Sequence, residues 1–153
     1  MSIFETTSLR VAGVEVDGKT AEAISGRHNI IEMTQAAEDA VLRPRDAGAF
    51  GHDLRAALAA RVARLAEDDA LASHYLAKAG NKAALADPSE TGAAQGLSAV
   101  LAFVDKVANQ TRDIAAEMFP ACRRQALRMR ISCGFVNWWR FWPIKPASSP
   151  GCV

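Results

Sequence analysis

The clearest pattern in the chain begins at Leu54. Apolar residues recur at Leu54, Leu58, Val62 and Leu65, with Ala57 and Ala66 beside them and Arg55 and Arg64 toward the opposite side. Steps of four, four and three residues predict a helix that buries one face. Asp68 is suited to cap a following helix, which carries Leu71, His74, Tyr75 and Lys78 and stops at Gly80. Upstream, Ile30, Met33, Ala37 and Val41 place a stripe on a helix running from Thr20 to Leu42, ended by Pro44 and Gly48. Downstream, a polar connector holding Pro88, Gly92 and Gly96 leads to a helix from Leu97 to Glu117, with Leu97, Val100, Leu101, Val104 and Ala108 on one face. The start is different. Leu9, Val11, Val14 and Val16 approach a strand period that Gly13 and Gly18 break, which predicts a loose, locally extended lead-in over residues 1–25. There is no internal repeat. The expected fold class is all-α, with short loops between antiparallel neighbours.

Composition changes this picture mainly at the end of the chain. A length of 153 residues, half of them hydrophobic, suits one domain with a real core. The net charge of +1 gives no bulk argument for nucleic acid. It hides an asymmetry, because residues 118–153 hold six basic residues and no acid, together with all three tryptophans and all three cysteines. Cys122, Cys133 and Cys152 lack a close pair, so neither a zinc site nor a disulfide framework is expected. His28 has no acidic or cysteine partner at ligand spacing, and no phosphate loop or nucleophile elbow occurs. No metal and no cofactor is therefore expected. The start lacks a basic segment followed by an apolar one, and no apolar run reaches about 18 residues, so a cytoplasmic protein without a membrane span is expected.

The stretch "RAALAARVARLAEDDALASHYLAKAG" resembles the alkyl hydroperoxidase / carboxymuconolactone decarboxylase family, small all-helical proteins built on a helix, a tight turn and a second helix with a histidine. The resemblance is to its CMD-domain branch and covers residues 26–116, with "SGRHNIIEMTQAAEDAVL" similar to the lead helix and "LSAVLAFVDKVANQTRDI" to the helix after the connector. It implies a homo-oligomer whose subunits bury Leu/Ala faces against one another, and a possible small-molecule ligand.

It also implies chemistry that can be checked against the residues. The family's peroxidases carry C-x-x-C with a histidine four residues on, where the helix N-terminus and the imidazole lower the thiol pKa. Counting back from His74 puts those positions at Glu67 and Ala70, and no cysteine precedes Cys122. The family's upstream glutamate would fall near residues 54–56, where the polar residue is Arg55. Thiol peroxidase chemistry is therefore not expected. The decarboxylase side of the family works by acid–base chemistry on a lactone acid, which would cast His74 as the proton carrier, Glu67 as its partner, and His52 and Arg55 as carboxylate binders. The plainer readings are a packing histidine, a solvated arginine, and acidic residues that start a helix. A non-catalytic ligand-binding or oligomeric assembly domain, or a non-functional frameshifted product, is the alternative function.

In that family the chain continues with two apolar helices, whereas residues 117–153 are basic and rich in Trp, Pro and Cys. The genetic code offers a reason. Read from the third base, Trp138–Trp139 encodes valine, Trp142–Pro143 alanine, and both Asn137–Trp138 and Phe141–Trp142 leucine. Arg140–Phe141 then gives an apolar residue. The forced positions have the character the family expects there, so the tail reads as out of frame, with the shift near residues 115–118. On that reading "RRQALRMR" has no selected role in nucleic-acid binding. A genuine tail that docks its aromatic rings on the body is the alternative. Loss of native helices would expose the faces of Leu58/Val62 and Leu101/Val104, so a marginally stable product is expected.

Overall fold

The computed structural model describes residues 2–48 and 50–120. The claims about the out-of-frame segment and the tryptophan cluster therefore lie almost wholly outside the described residues. Within them the protein is all-α, with no strand, and no helix is long and apolar enough to cross a membrane.

The described residues form the α-helices α1 (Thr7–Val11), α2 (Lys19–Ser25), α3 (His28–Leu42), α4 (His52–Leu65), α5 (Asp69–Leu76) and α6 (Ser98–Asn109). Short 3-10 helices span Ile3–Glu5, Gly80–Ala86 and Thr111–Asp113. Helix α4 is the centre, and α3, α5, α6 and the Gly80–Ala86 segment all pack on it. Its sequence explains why. Leu54 and Leu58 supply bulk, while Ala56, Ala57, Ala60 and Ala63 are buried on further sides, and their short side chains let neighbours approach closely. The core joins these to Phe50, Ala79, Leu85, Leu97, Val100 and Leu101. Phe103 is buried as well and meets Phe119 edge to face at 5.7 Å.

The α4–α5 turn has no slack. Glu67 sits at φ 59°, in the left-handed region where glycine is usual. Its N–H donates to Arg64 O at 3.0 Å, and the Asp68 N–H donates to Ala63 O at 2.9 Å, the paired bonds of a Schellman cap. Asp68 then starts α5 as expected, its carboxylate accepting from the Leu71 N–H at 2.9 Å.

Several expectations need correction. The lead-in is helical rather than extended. Ser2 and Glu5 form a capping box, the Thr7 N–H donates to Gln35 Oε1 of α3 at 2.7 Å, and Leu9 is buried. The expected helix from Thr20 to Leu42 is broken at Gly26–Arg27 into α2 and α3. The Ile30–Met33–Ala37 side of α3 faces outward, with Ile30 53 % and Met33 70 % exposed. Val62, placed on the buried stripe of α4, is 40 % exposed. Helix α5 ends at Leu76, before Gly80, and α6 ends at Asn109, before Glu117. The polar connector also enters the core, through Leu85 and Ala86.

That last feature depends on Arg61, whose guanidinium lies at the centre of the fold. Arg61 is 2 % exposed. Its Nε and Nη2 donate to the two oxygens of Asp105 on α6, at 2.5 and 2.7 Å. Its Nη1 donates to the carbonyls of Leu85, Asp87 and Glu90, and Nη2 donates to that of Pro88. A planar fork with five N–H groups is suited to gathering so many acceptors. Arg61 thus binds α4, α6 and the connector together, and among the described residues no buried side-chain polar atom is left unpaired.

Candidate functional site

His74 lies on α5, half-buried, where a residue from the far N-terminal helix reaches it. Arg10 of α1 places Nη2 3.2 Å from His74 Nδ1, and Lys78, one turn further on, places Nζ 2.6 Å from Nε2. The spacing of four residues puts Lys78 on the same side as His74. The Tyr75 ring stands edge-on to the imidazole at 5.3 Å, and Lys78 Nζ is 5.8 Å from the Tyr75 ring centre. Arg43, just after α3, adds positive charge, while Glu38 and Asp39 of α3 oppose it.

The electrostatics follow from that crowding. Desolvation, then Lys78, Arg10 and Arg43, push the His74 pKa below its usual value, so the imidazole is neutral at pH 7. Desolvation and Arg43 lower Lys78 as well. Tyr75 is pushed up to about 12, first by burial and then by Glu38, which accepts a hydrogen bond from the phenol and favours its neutral form. The resulting site sets the basic side chains of Arg10, Lys78 and Arg43 around a neutral imidazole, with Glu38 and Asp39 of α3 opposing them.

The other residues singled out by sequence do not gather there. Glu67 is exposed on the α4–α5 turn, and no hydrogen bond or ion pair joins it to His74. From Asp69 to His74 alone the helix rises by about 7.5 Å. Arg55 is neither a solvated arginine nor a free carboxylate binder. Its Nε, Nη1 and Nη2 donate to the carbonyls of Phe50, Val41 and Ala47 at 2.7, 2.9 and 3.3 Å. Burial lowers its pKa. His52 Nε2 is 3.1 Å from Pro44 O, which identifies it as a donor. His52 and Arg55 therefore fasten the α3–α4 loop.

Sequence reasoning placed Lys78 on this helix without assigning it to the site, although its spacing from His74 was readable. Arg10 stands 64 residues from His74 and left no local signal. Among the described residues no group of His, Cys, Asp and Glu is arranged to hold a metal. The depression lined by residues 109–113 lies at the end of α6 and the 3-10 helix after it, and Arg10, His74 and Lys78 do not line it.

No family model, curated protein or solved structure matches the chain.

Proposed function

We propose that the chain is a helical binding domain, similar in its α4–turn–α5 unit to the alkyl hydroperoxidase / carboxymuconolactone decarboxylase domains, that holds a small carboxylated ligand at Arg10, His74 and Lys78. One observation carries this reading: each nitrogen of the His74 ring faces a basic side chain, and Arg43 adds further charge nearby. A carboxylate entering the cluster would relieve that crowding and accept from Arg10 and Lys78. The helix, Schellman turn and histidine-bearing helix support the family resemblance, and the lack of cysteine at residues 67 and 70 rules out thiol chemistry there. Any acid–base chemistry would belong to His74 with Lys78 rather than with Glu67.

Calorimetric titration with succinate tests the reading. Millimolar binding, about −4 kcal/mol, is expected for the native chain. It should be lost in Arg10→Ala and kept in Lys106→Ala. Titrations of the native chain without heat at any succinate concentration would overturn it.

A second reading, an assembly domain, is favoured by the outward face of α3, where Ile30 and Met33 stand exposed. The partner implied by the resemblance is a second copy of the chain. Sedimentation should then show self-association that Met33→Lys weakens, and a monomer at all concentrations would exclude it. The out-of-frame reading of residues 117–153 is a separate proposal. Resequencing the coding DNA across that segment decides it, since an intact frame refutes it.

A further inference from the structure

The two contacts of His74 cannot both be hydrogen bonds in an arbitrary protonation state. The Arg10 guanidinium has donors only and stays charged, so at 3.2 Å His74 Nδ1 must accept. A neutral imidazole that accepts at Nδ1 carries its proton on Nε2. Nε2–H then points at Lys78 Nζ, 2.6 Å away. An ammonium has three N–H groups and no lone pair, so only the free amine can accept there.

The surroundings favour that form. Arg10 on α1 and Arg43 after α3 disfavour a further cation, and Glu38 and Asp39 on α3 act against them. At 5.8 Å the Tyr75 ring is near the limit at which it stabilises an ammonium, while its phenol stays neutral. Desolvation, then Arg43, lower the Lys78 pKa from its ordinary value. Lys78 is also partly open to solvent, so a small molecule can reach it.

We propose that Lys78, held as a free amine by His74 Nε2–H, is a nucleophile that condenses with the carbonyl of a small oxo acid whose carboxylate is taken by Arg10 and Arg43. The amine lone pair attacks the carbonyl carbon and forms the C–N bond, and the oxygen becomes a hydroxyl. His74 Nε2 gives its proton to the departing hydroxyl and takes one back from the nitrogen. The products are the imine and one water, both of whose hydrogens come, in net terms, from the amine. A desolvated lysine beside other cations is a recognised way of making such a nucleophile at neutral pH.

The carboxylate half of this proposal rests on the binding reading above, so the experiment separates the two. The native chain is incubated with glyoxylate and cyanoborohydride near neutral pH, and the fixed adducts are mapped by peptide mass spectrometry. Lys19, Lys82 and Lys106 serve as internal references. A lysine held as the free amine reacts ahead of lysines held as ammonium, so Lys78 should be labelled at least about tenfold faster than the references. Excess succinate should suppress that labelling, and Lys78→Gln should abolish it. Label spread evenly over Lys78 and the three reference lysines would overturn the free amine, whatever succinate does. Lys78 labelled as readily by acetaldehyde as by glyoxylate, with no effect of succinate, would overturn the oxo-acid assignment and the binding reading together.

Discussion

Arg61 should be the most costly single polar position among the described residues, and its cost should exceed that of its carboxylate partner. The guanidinium makes two bonds to Asp105 and four to backbone carbonyls, and the residue is 2 % exposed. Removing one partner of a buried pair costs about 3–5 kcal/mol, because the remaining groups lose their compensation. Asp105 is 33 % exposed at its side chain, and the carbonyls of residues 87–90 lie on an exposed stretch, so water can recover part of the loss. Leu85 O cannot recover it, being fully enclosed. Arg61→Met should therefore cost about 3 kcal/mol, a large share of the total stability of an ordinary domain. Asp105→Asn leaves all four carbonyl bonds and still offers an amide oxygen, so it should cost about 1 kcal/mol. Urea unfolding followed by circular dichroism measures both, as shifts in midpoint at constant slope. Equal costs for the two variants would mean that the ion pair is the whole effect and that the carbonyl clamp contributes nothing. A loss below about 1 kcal/mol for Arg61→Met would refute the clamp outright.

Three further outcomes can be measured in the same way. Glu67→Gly should stabilise the chain by about 0.5–1 kcal/mol, since a left-handed non-glycine residue costs about 1–2 kcal/mol and glycine gives back part of that in entropy; a destabilised variant would contradict the strain assigned to the turn. Gly92→Ala should cost about 2–4 kcal/mol, combining a φ of 65° with a Cβ that would stand 2.6 Å from Leu101 Cδ1, and an unchanged urea midpoint would show that the connector yields. Because the folded His74 pKa is lowered, the unfolded chain binds more protons between that value and about 6.5, so stability falls as pH drops through this window and levels off below it. The difference between the native chain and His74→Asn isolates that slope from other groups, and a pH-independent difference would remove the cationic surroundings from the account.

The sequence was legible where burial and period coincide. Leu54 and Leu58, and Leu97 with Leu101, fall on the faces their spacing indicated, because those faces meet in one shared core. The same reasoning misplaced Ile30 and Met33, since a period identifies an apolar face but does not say whether this chain covers it. Arg61 was not singled out because most of its acceptors are backbone carbonyls, which have no side-chain signature. Arg55 and His52 were misread for the same reason. The site was half legible: His74 and Lys78 share one local spacing, but Arg10 reaches them only through the tertiary fold. The helix in the lead-in was obscured by glycines that mark turns between short helices rather than the ends of strands.

The Schellman turn at Glu67 also sets the rotational phase of α5. Each residue of an α-helix turns the chain by about 100°, so one residue inserted between α4 and Asp68 would have to be absorbed in the turn or would swing α5 around its axis. His74 and Lys78 would move together, as Lys78 sits in the turn that continues directly from α5, but Arg10 belongs to α1 and would be left behind. The pairing of an N-terminal arginine with a mid-chain histidine is thus gated by the length of a turn that touches neither residue.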